Sequence, residues 1–192
     1  MGSGKSSVSA LFAEFGVPVL DADRIVRELT QPGLSASREI HEAFGAEVFA
    51  TNQDIDRRRL AQRVFANPAE RHILEQILHP RVRAEITKRL GLMSAPYCIL
   101  EIPLLIESGQ GDLVNRVLVV TANEPLRMER VQARDGRSES EVRAILSTQA
   151  SDVERRAAAQ DIILNEGDMP ALRARVLQLH NSYLRLARGE PA

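Results

Sequence analysis

Apolar positions along the chain follow two alternating rhythms. Val8, Leu11, Phe12 and Phe15 recur at helical spacing over 5–15; Gly16 then interrupts them, and Val17, Pro18, Val19 and Leu20 form a short apolar run expected as a buried strand. The runs 97–102 (YCILEI), 116–121 (RVLVVT) and 161–164 (DIIL) read as three more buried strands by length and β-branched content. Helical periodicity covers 22–30, 124–134, 138–158 and 168–188. Strand and helix in alternation predict an α/β fold, a parallel sheet with helices on both faces. From about 34 to 90 the pattern is helical and strand-poor, with turn signals at Pro32 and Gly33, Gly45, Asn67 and Pro68, and His79 and Pro80. That block is expected as a helical insertion on the rim of the sheet. No internal repeat or low-complexity linker is visible, and the loose ends are the first residues and 189–192.

Composition narrows the class. With 192 residues the chain is expected to form one domain with an insertion, long enough to bury a real core. Twenty-five basic against 26 acidic residues leave a net charge of −1, so no overall basic field argues for a nucleic-acid partner and any anion site must be local. The single cysteine, Cys98, lies in an apolar run and has no intrachain partner; it reads as a buried structural residue in a reducing, cytoplasmic setting. No stretch reaches the ~20 apolar residues of a membrane span, and no signal peptide opens the chain.

The chemistry starts at the first residues. Gly2, Ser3, Gly4, Lys5, Ser6 and Ser7 reproduce the back half of a GxxxxGKS/T phosphate loop, in which glycines let backbone N–H groups face phosphates, the lysine reaches the β- and γ-oxygens, and the hydroxyl ligates Mg²⁺. The motif's first glycine would precede Met1, and so would the strand that feeds it. Taken alone, GSGKSS also fits a flexible Ser-rich leader. A chain starting at Met1 is therefore expected to fold poorly and to show little activity, because a buried strand contributes ~1.5 to 3 kcal/mol per large side chain.

Asp21 and Asp23 follow the strand 17–20 at its carboxyl end, where parallel sheets bind ligands. Two such carboxylates beside a phosphate loop suit phosphoryl transfer, one holding Mg²⁺ and one taking a proton from an attacking hydroxyl; capping of the helix that begins near Ala22 is an equal alternative. Arg27, one turn on, either pairs with an anionic substrate or is a solvated helix arginine. Pro103 and Leu104 leave their strand at the same end, before Glu107, and read more readily as core than as pocket lining. The run 124–151 carries Arg127, Arg130, Arg134 and Arg137, followed by Gln149; a solvated helix is the plain reading, and a lid that closes on phosphate is the functional one.

The ordered set of GSGKSS, DADRIVR at 21–27, LHP at 78–80, IPLLIE at 102–107, RDG at 134–136 and NEG at 165–167 resembles the dephospho-coenzyme A kinase family over essentially the whole chain. The resemblance implies a P-loop kinase-type parallel sheet with a helical acceptor-binding insertion (31–92) and an Arg-rich lid (124–151). It implies transfer of the γ-phosphate of ATP to the ribose 3′-hydroxyl of dephospho-CoA, the last step of CoA synthesis. Asp23 corresponds to the catalytic base and Lys5 and Ser6 to the phosphate and Mg²⁺ contacts, which leaves Asp21 of the carboxylate pair for the metal and the substrate. His79, Pro80 and Arg83 fall in the acceptor-holding block, although a helix-terminal histidine stapled by Pro80 fits His79 as well. Arg134 and Arg137 are the implied lid cations, and Asn165 and Gly167 match the adenine-side loop. Gln160 departs from the family's usual acidic residue and reads as a tolerated surface change. Another small-molecule or nucleoside monophosphate kinase, or a non-catalytic nucleotide switch, remains open on the residues alone; ATP and dephospho-CoA are the expected partners of a monomer or weak homo-oligomer.

Overall fold

The computed structural model describes residues 1–106, 109–136, 138–147 and 150–191. In chain order they form α1 (Lys5–Glu14), β1 (Val19–Asp21), α2 (Ala22–Leu29), α3 (Ser35–Phe44), α4 (Arg57–Ala66), α5 (Pro68–Gly91), β2 (Ile99–Glu101), β3 (Leu118–Thr121), α6 (Glu124–Asp135), α7 (Glu139–Ser147), α8 (Asp152–Ala158), β4 (Asp161–Leu164) and α9 (Met169–Ala187). The chain divides into two compact units, Met1–Val19 with Ala95–Ala192, and Leu20–Ser94.

In the first unit α1 starts at Gly4, whose left-handed backbone (φ 88°) only glycine adopts cheaply. The helix buries Val8, Leu11 and Phe12, the i, i+3, i+4 stripe visible in the sequence, and stops where Gly16 turns back with φ 79°. That stripe meets Val17, Ile163, Leu172, Val176 and Leu179 in one apolar cluster, with Ile99, Leu118 and Val120 packed against it. Each fully buried aliphatic or aromatic side chain contributes roughly 1.5–3 kcal/mol, so this cluster dominates the unit's stability. Phe12 stacks on Tyr183 at 6.0 Å and meets Tyr97 edge-on at 6.5 Å. Both tyrosines end on a polar partner, as half-buried phenols must: Tyr97 Oη lies 2.6 Å from His180 Nδ1, and Tyr183 Oη donates to Asp161 at 2.9 Å.

β3 and β4 pair in parallel, Leu118 opposite Asp161 and Thr121 opposite Leu164. β1 and β2 make a second two-stranded sheet, beside which the Ile99 N–H donates to the Pro18 carbonyl at 2.9 Å. The expected single sheet is thus two short pairs: side chains of β2 and β3 share one core, but no ladder runs between them. The helix expected over 138–158 is also two helices. Ser151 and Glu154 form a reciprocal capping box, Ser151 N donating to the Glu154 carboxylate at 2.7 Å and Glu154 N to Ser151 Oγ at 3.2 Å, and this starts α8 afresh.

The second unit, Leu20–Ser94, holds α2 and, over the stretch 34–90, the helices α3, α4 and α5. Ile40, Phe44, Val48, Ile55 and Leu60 form its core with Phe49, Val64, Leu74, Ile77 and Leu78. Arg63 locks three segments together: a fork onto Glu70 (2.8 and 2.8 Å), the Phe44 carbonyl (2.7 Å) and Glu47 (2.9 Å). Asn67 caps α5 through Ala69 N and Glu70 N, with Pro68 at the first turn as expected. Pro80, however, does not end that helix. α5 continues through it, losing only the bond that the residue-80 nitrogen would make to the Gln76 carbonyl, and the Arg81 guanidinium donates to the neighbouring Ile77 carbonyl.

Candidate active site

The phosphate loop is built by close approach. A Cβ on Gly2 (φ 77°) would lie 2.4 Å from the Arg127 carbonyl, and one on Gly4 would lie 2.1 Å from Asn165 Nδ2, so both positions exclude any side chain. The loop is then pinned from below: Asn165 Nδ2 donates to the Ser3 carbonyl at 2.8 Å and Arg127 Nε to the Met1 carbonyl at 3.1 Å. Arg130 in turn donates to the Asn165 carbonyl at 3.0 Å. With its carbonyls held by α6 and the end of β4, the loop presents its N–H groups at the start of α1, where no side chain caps them. A helix start without its own cap, joined to a lysine, is an anion site. Lys5 is 42% exposed and its Nζ stands 3.8 Å from Glu101 Oε1 on β2. Ser6 is exposed and Ser7 half-buried.

Positive charge collects at this end of the unit. The α-amino group of Met1 is pushed down to about 5 by burial, then by Arg127, Arg155, Lys5 and Arg134. The Arg127 side chain is only 8% exposed and pairs with Asp152 at 3.4 Å; burial, then Arg155, holds its guanidinium below the usual arginine range. It remains a fixed cation beneath the loop.

The second unit carries the carboxylates. Asp21 caps α2, its Oδ1 accepting from Asp23 N at 2.9 Å and Arg24 N at 3.2 Å, so the capping alternative holds for this residue. Asp23, in the first turn of α2, is exposed and its carboxylate takes no hydrogen bond from the described residues. Arg27 lies one turn further along the same helix. His79 is half-buried and Arg83 exposed, four residues apart on one face of α5; with Pro80 inside the helix, the terminal role considered for His79 falls away.

Other expected positions are placed differently. Pro103 and Leu104 are exposed in the turn after β2, Leu104 by 44%, so they are not core residues. Arg134 is turned onto Asp135 (2.7 and 2.9 Å). Gly167 has only an ordinary 3.4 Å contact to the Ala171 Cβ and no positive φ, so no close backbone approach demands a glycine there. Gln160 accepts from Val117 N at 2.7 Å, a bond an acidic residue would make equally well. Glu107, Arg137 and Gln149 lie outside the described residues. Cys98 is half-buried, and burial pushes its thiol up.

Glu101 and Arg57 escape a reading of motifs, and Arg127, read as one of a run of lid or surface arginines, lies buried under the loop instead. Arg127 occupies a buried position of α6 beside Met128 and Val131, and Glu101 is the one charge inside the run YCILEI. A charge on an apolar stripe was the available signal in both cases. Arg57 sits in an Arg-rich helix start that looks like ordinary surface.

The dephospho-CoA kinase family model matches residues 1–171. The chain belongs to the dephospho-CoA kinase family. A dephospho-CoA kinase of Coxiella burnetii is 43% identical over 97% of this chain and 94% of its own length, and one of Thiobacillus denitrificans 47% over 97% and 93%. Among solved structures, the Thermus thermophilus protein TT1252 superposes with a TM-score of 0.84 (36% identity, 94% of this chain, 93% of that one). The dephospho-CoA kinase from Campylobacter jejuni superposes with 0.68 (25% identity, 98% and 94%). Membership makes this kinase an ATP-dependent enzyme of CoA synthesis, and the mixed α/β fold with short parallel strands is that of its relatives. Among its described residues no helix is long and apolar enough to cross a membrane.

Proposed function

We propose that this kinase moves the γ-phosphate of ATP to the ribose 3′-hydroxyl of dephospho-CoA, with separate groups of residues for donor and acceptor. The loop Gly2 to Ser7, with Lys5, holds the donor; the helical unit, with Asp23, Arg27, His79 and Arg83, holds the acceptor. The supporting observation is the pinned loop, whose carbonyls are taken by Arg127 and Asn165 while the start of α1 stays uncapped. Such a site binds phosphate oxygens without reorganising as charge shifts onto them. Lys5 follows the migrating charge, and Arg127 adds a cation beneath the loop. Asp23, whose carboxylate takes no hydrogen bond from the described residues, is placed to orient the hydroxyl and take its proton as the new P–O bond forms and the bond to ADP breaks. Arg134 and Arg137 are assigned to a lid that excludes water, while Arg127 and Arg130 of the same stretch stay fixed under the loop; Pro103 and Leu104 are assigned to the acceptor side, and Asn165 with Gly167 to the donor side.

The donor set suits Mg²⁺. Ser6 offers one hydroxyl at the α1 start, and no cluster of three or more His, Cys, Asp or Glu stands ready to cage a metal among the described residues. Mg²⁺ prefers few protein oxygens and completes its shell with water and substrate phosphates. Ser6 is the residue assigned to hold it, and when bound it neutralises phosphate oxygens. The Asp21 carboxylate acts first as the α2 cap, and a metal role for it is tested below. The enzyme is assigned to the cytoplasm, as a monomer or weak homo-oligomer.

A coupled ADP assay tests this reading. Dephospho-CoA should support ADP formation and yield the 3′-phosphorylated product, whereas nucleoside monophosphates should not. Equal turnover of nucleoside monophosphates would assign the site to another kinase class, and ATP binding without turnover to a nucleotide switch.

A further inference from the structure

In the helical unit most arginines are neutralised by carboxylates: Arg24 by Glu28, Arg59 by Asp56, Arg63 by Glu70, Arg89 by Glu85. Arg27 and Arg57 are not. Neither pairs with a carboxylate among the described residues, although the fold brings them together. Thr30, 3% exposed, ends α2 by donating its hydroxyl to the Val26 carbonyl at 2.7 Å, and Arg57 Nη2 donates to that same hydroxyl oxygen at 3.0 Å. Arg27 and Thr30 are three residues apart on α2 and share a face, so the anchored Arg57 head lies beside Arg27. Asp23 opens the same face four residues earlier.

We propose that Arg27 and Arg57, with Arg57 aimed by Thr30, form the subsite that holds the diphosphate of the acceptor nucleotide. This rests on the assignment of Asp23 as the group that receives the 3′-hydroxyl. Four residues of helix span about 6 Å, on the order of the distance from a ribose 3′-oxygen to its own 5′-phosphate. An acceptor with its hydroxyl at Asp23 therefore carries its diphosphate to the two guanidiniums. Two neighbouring cations, neither paired with a carboxylate among the described residues, suit the several oxygens of a diphosphate. Burial, then the charge of Arg27, holds the Arg57 guanidinium below the usual arginine range, with Asp54 and Asp23 acting the other way; a bound dianion relieves that repulsion. Arg57 thus becomes a binding residue for the acceptor, and an arginine at the start of an ordinary surface helix gains a reason to be there.

Calorimetric titration of dephospho-CoA and, separately, of ATP distinguishes an acceptor subsite from a donor one. Arg57→Gln and Arg27→Gln should each weaken dephospho-CoA binding about 10- to 100-fold, leave ATP binding unchanged, and keep the wild-type melting temperature. Arg57→Lys, which keeps the charge and loses the fork, should fall between. Adenosine, an acceptor without the diphosphate, should be turned over no worse by the variants than by wild type. If dephospho-CoA binds the two Gln variants as tightly as wild type, or if ATP binding is what suffers, the subsite is overturned while the role of Asp23 stands. If wild-type enzyme does not phosphorylate dephospho-CoA, both are overturned.

Discussion

The side-chain amide of Asn165 donates to the carbonyl of Ser3 at 2.8 Å and ties the residue after β4 to the phosphate loop. Asn165 is 6% exposed and its own N–H extends the parallel ladder by donating to the Thr121 carbonyl at 2.8 Å. The loop is therefore registered against the sheet through one side chain. Replacing it leaves the Ser3 carbonyl without its donor, at a cost of about 1–3 kcal/mol. Asn165→Ala should lower the melting temperature by several degrees, at ~2–4 °C per kcal/mol for a domain of this size, and raise KM for ATP more than KM for dephospho-CoA. Melting curves with and without ATP, alongside steady-state kinetics, check both halves.

Gly4→Ala should be worse for catalysis than for folding. The new Cβ meets Asn165 Nδ2 at 2.1 Å in a backbone with φ 88°, so either the loop or its anchor moves. The steric conflict is with a side chain, and Asn165→Ala should restore part of the lost stability of Gly4→Ala in the double variant. The left-handed backbone penalty of roughly 1–2 kcal/mol should persist. Full additivity of the two losses would show that the residues do not share this contact.

Lys5→Ala is expected to abolish transfer and spare the fold. Lys5 is 42% exposed and its 3.8 Å pair with Glu101 is loose, so its loss should barely move the melting temperature, whereas kcat/KM should fall by more than about tenfold, over 1.4 kcal/mol. Wild-type kcat/KM in this variant would remove Lys5 from the site.

Asp21 allows its two assigned roles to be separated. Asn caps helices as well as Asp, so Asp21→Asn should keep the melting temperature, and any shift in Mg²⁺ requirement then reports a metal role. Asp21→Ala should cost about 0.5–2 kcal/mol of stability through the lost cap.

Acid stability should report the Arg116 to Asp161 pair. Burial alone would raise the Asp161 carboxyl, but hydrogen bonds from Arg116 and Tyr183 together outweigh it and hold it below its ordinary 3.8. A carboxylate lowered on folding stabilises above its unfolded pKa and loses that contribution as pH falls through the folded value. Asp161→Asn should therefore melt lower than wild type at pH 7, with the difference shrinking below about pH 4. A constant difference across that range would assign the loss to packing against Tyr183.

Local pattern carried much of this fold because local physics determined it. The stripe Val8, Leu11, Phe12 and the stop at Gly16 define α1 from sequence neighbours alone, and 161–164 became β4 with the expected limits. The restart at Ser151 was also written locally, as Ser followed by Glu three residues on, but helical periodicity continued through it and hid the break. Pro80 failed as a stop signal for a tertiary reason: the apolar face of α5, with Leu74, Ile77 and Leu78, is held against the core of its unit. The site divided in the same way. The lysine and glycines of the loop were legible as a motif, whereas Asn165 under Ser3 and Arg57 against Thr30 join residues far apart in sequence. Nothing in periodicity or spacing encodes such pairs.

The steady-state kinetics of Asp23→Asn with dephospho-CoA and ATP test the central assignment most directly. Asp23 is exposed and its carboxylate accepts no hydrogen bond from the described residues, so the substitution should leave the fold intact. An amide still orients a hydroxyl but takes no proton. The account predicts a fall in kcat of about 10²- to 10⁴-fold with KM for dephospho-CoA little changed. Wild-type kcat with a raised KM would make Asp23 a binding residue and contradict its role as the base.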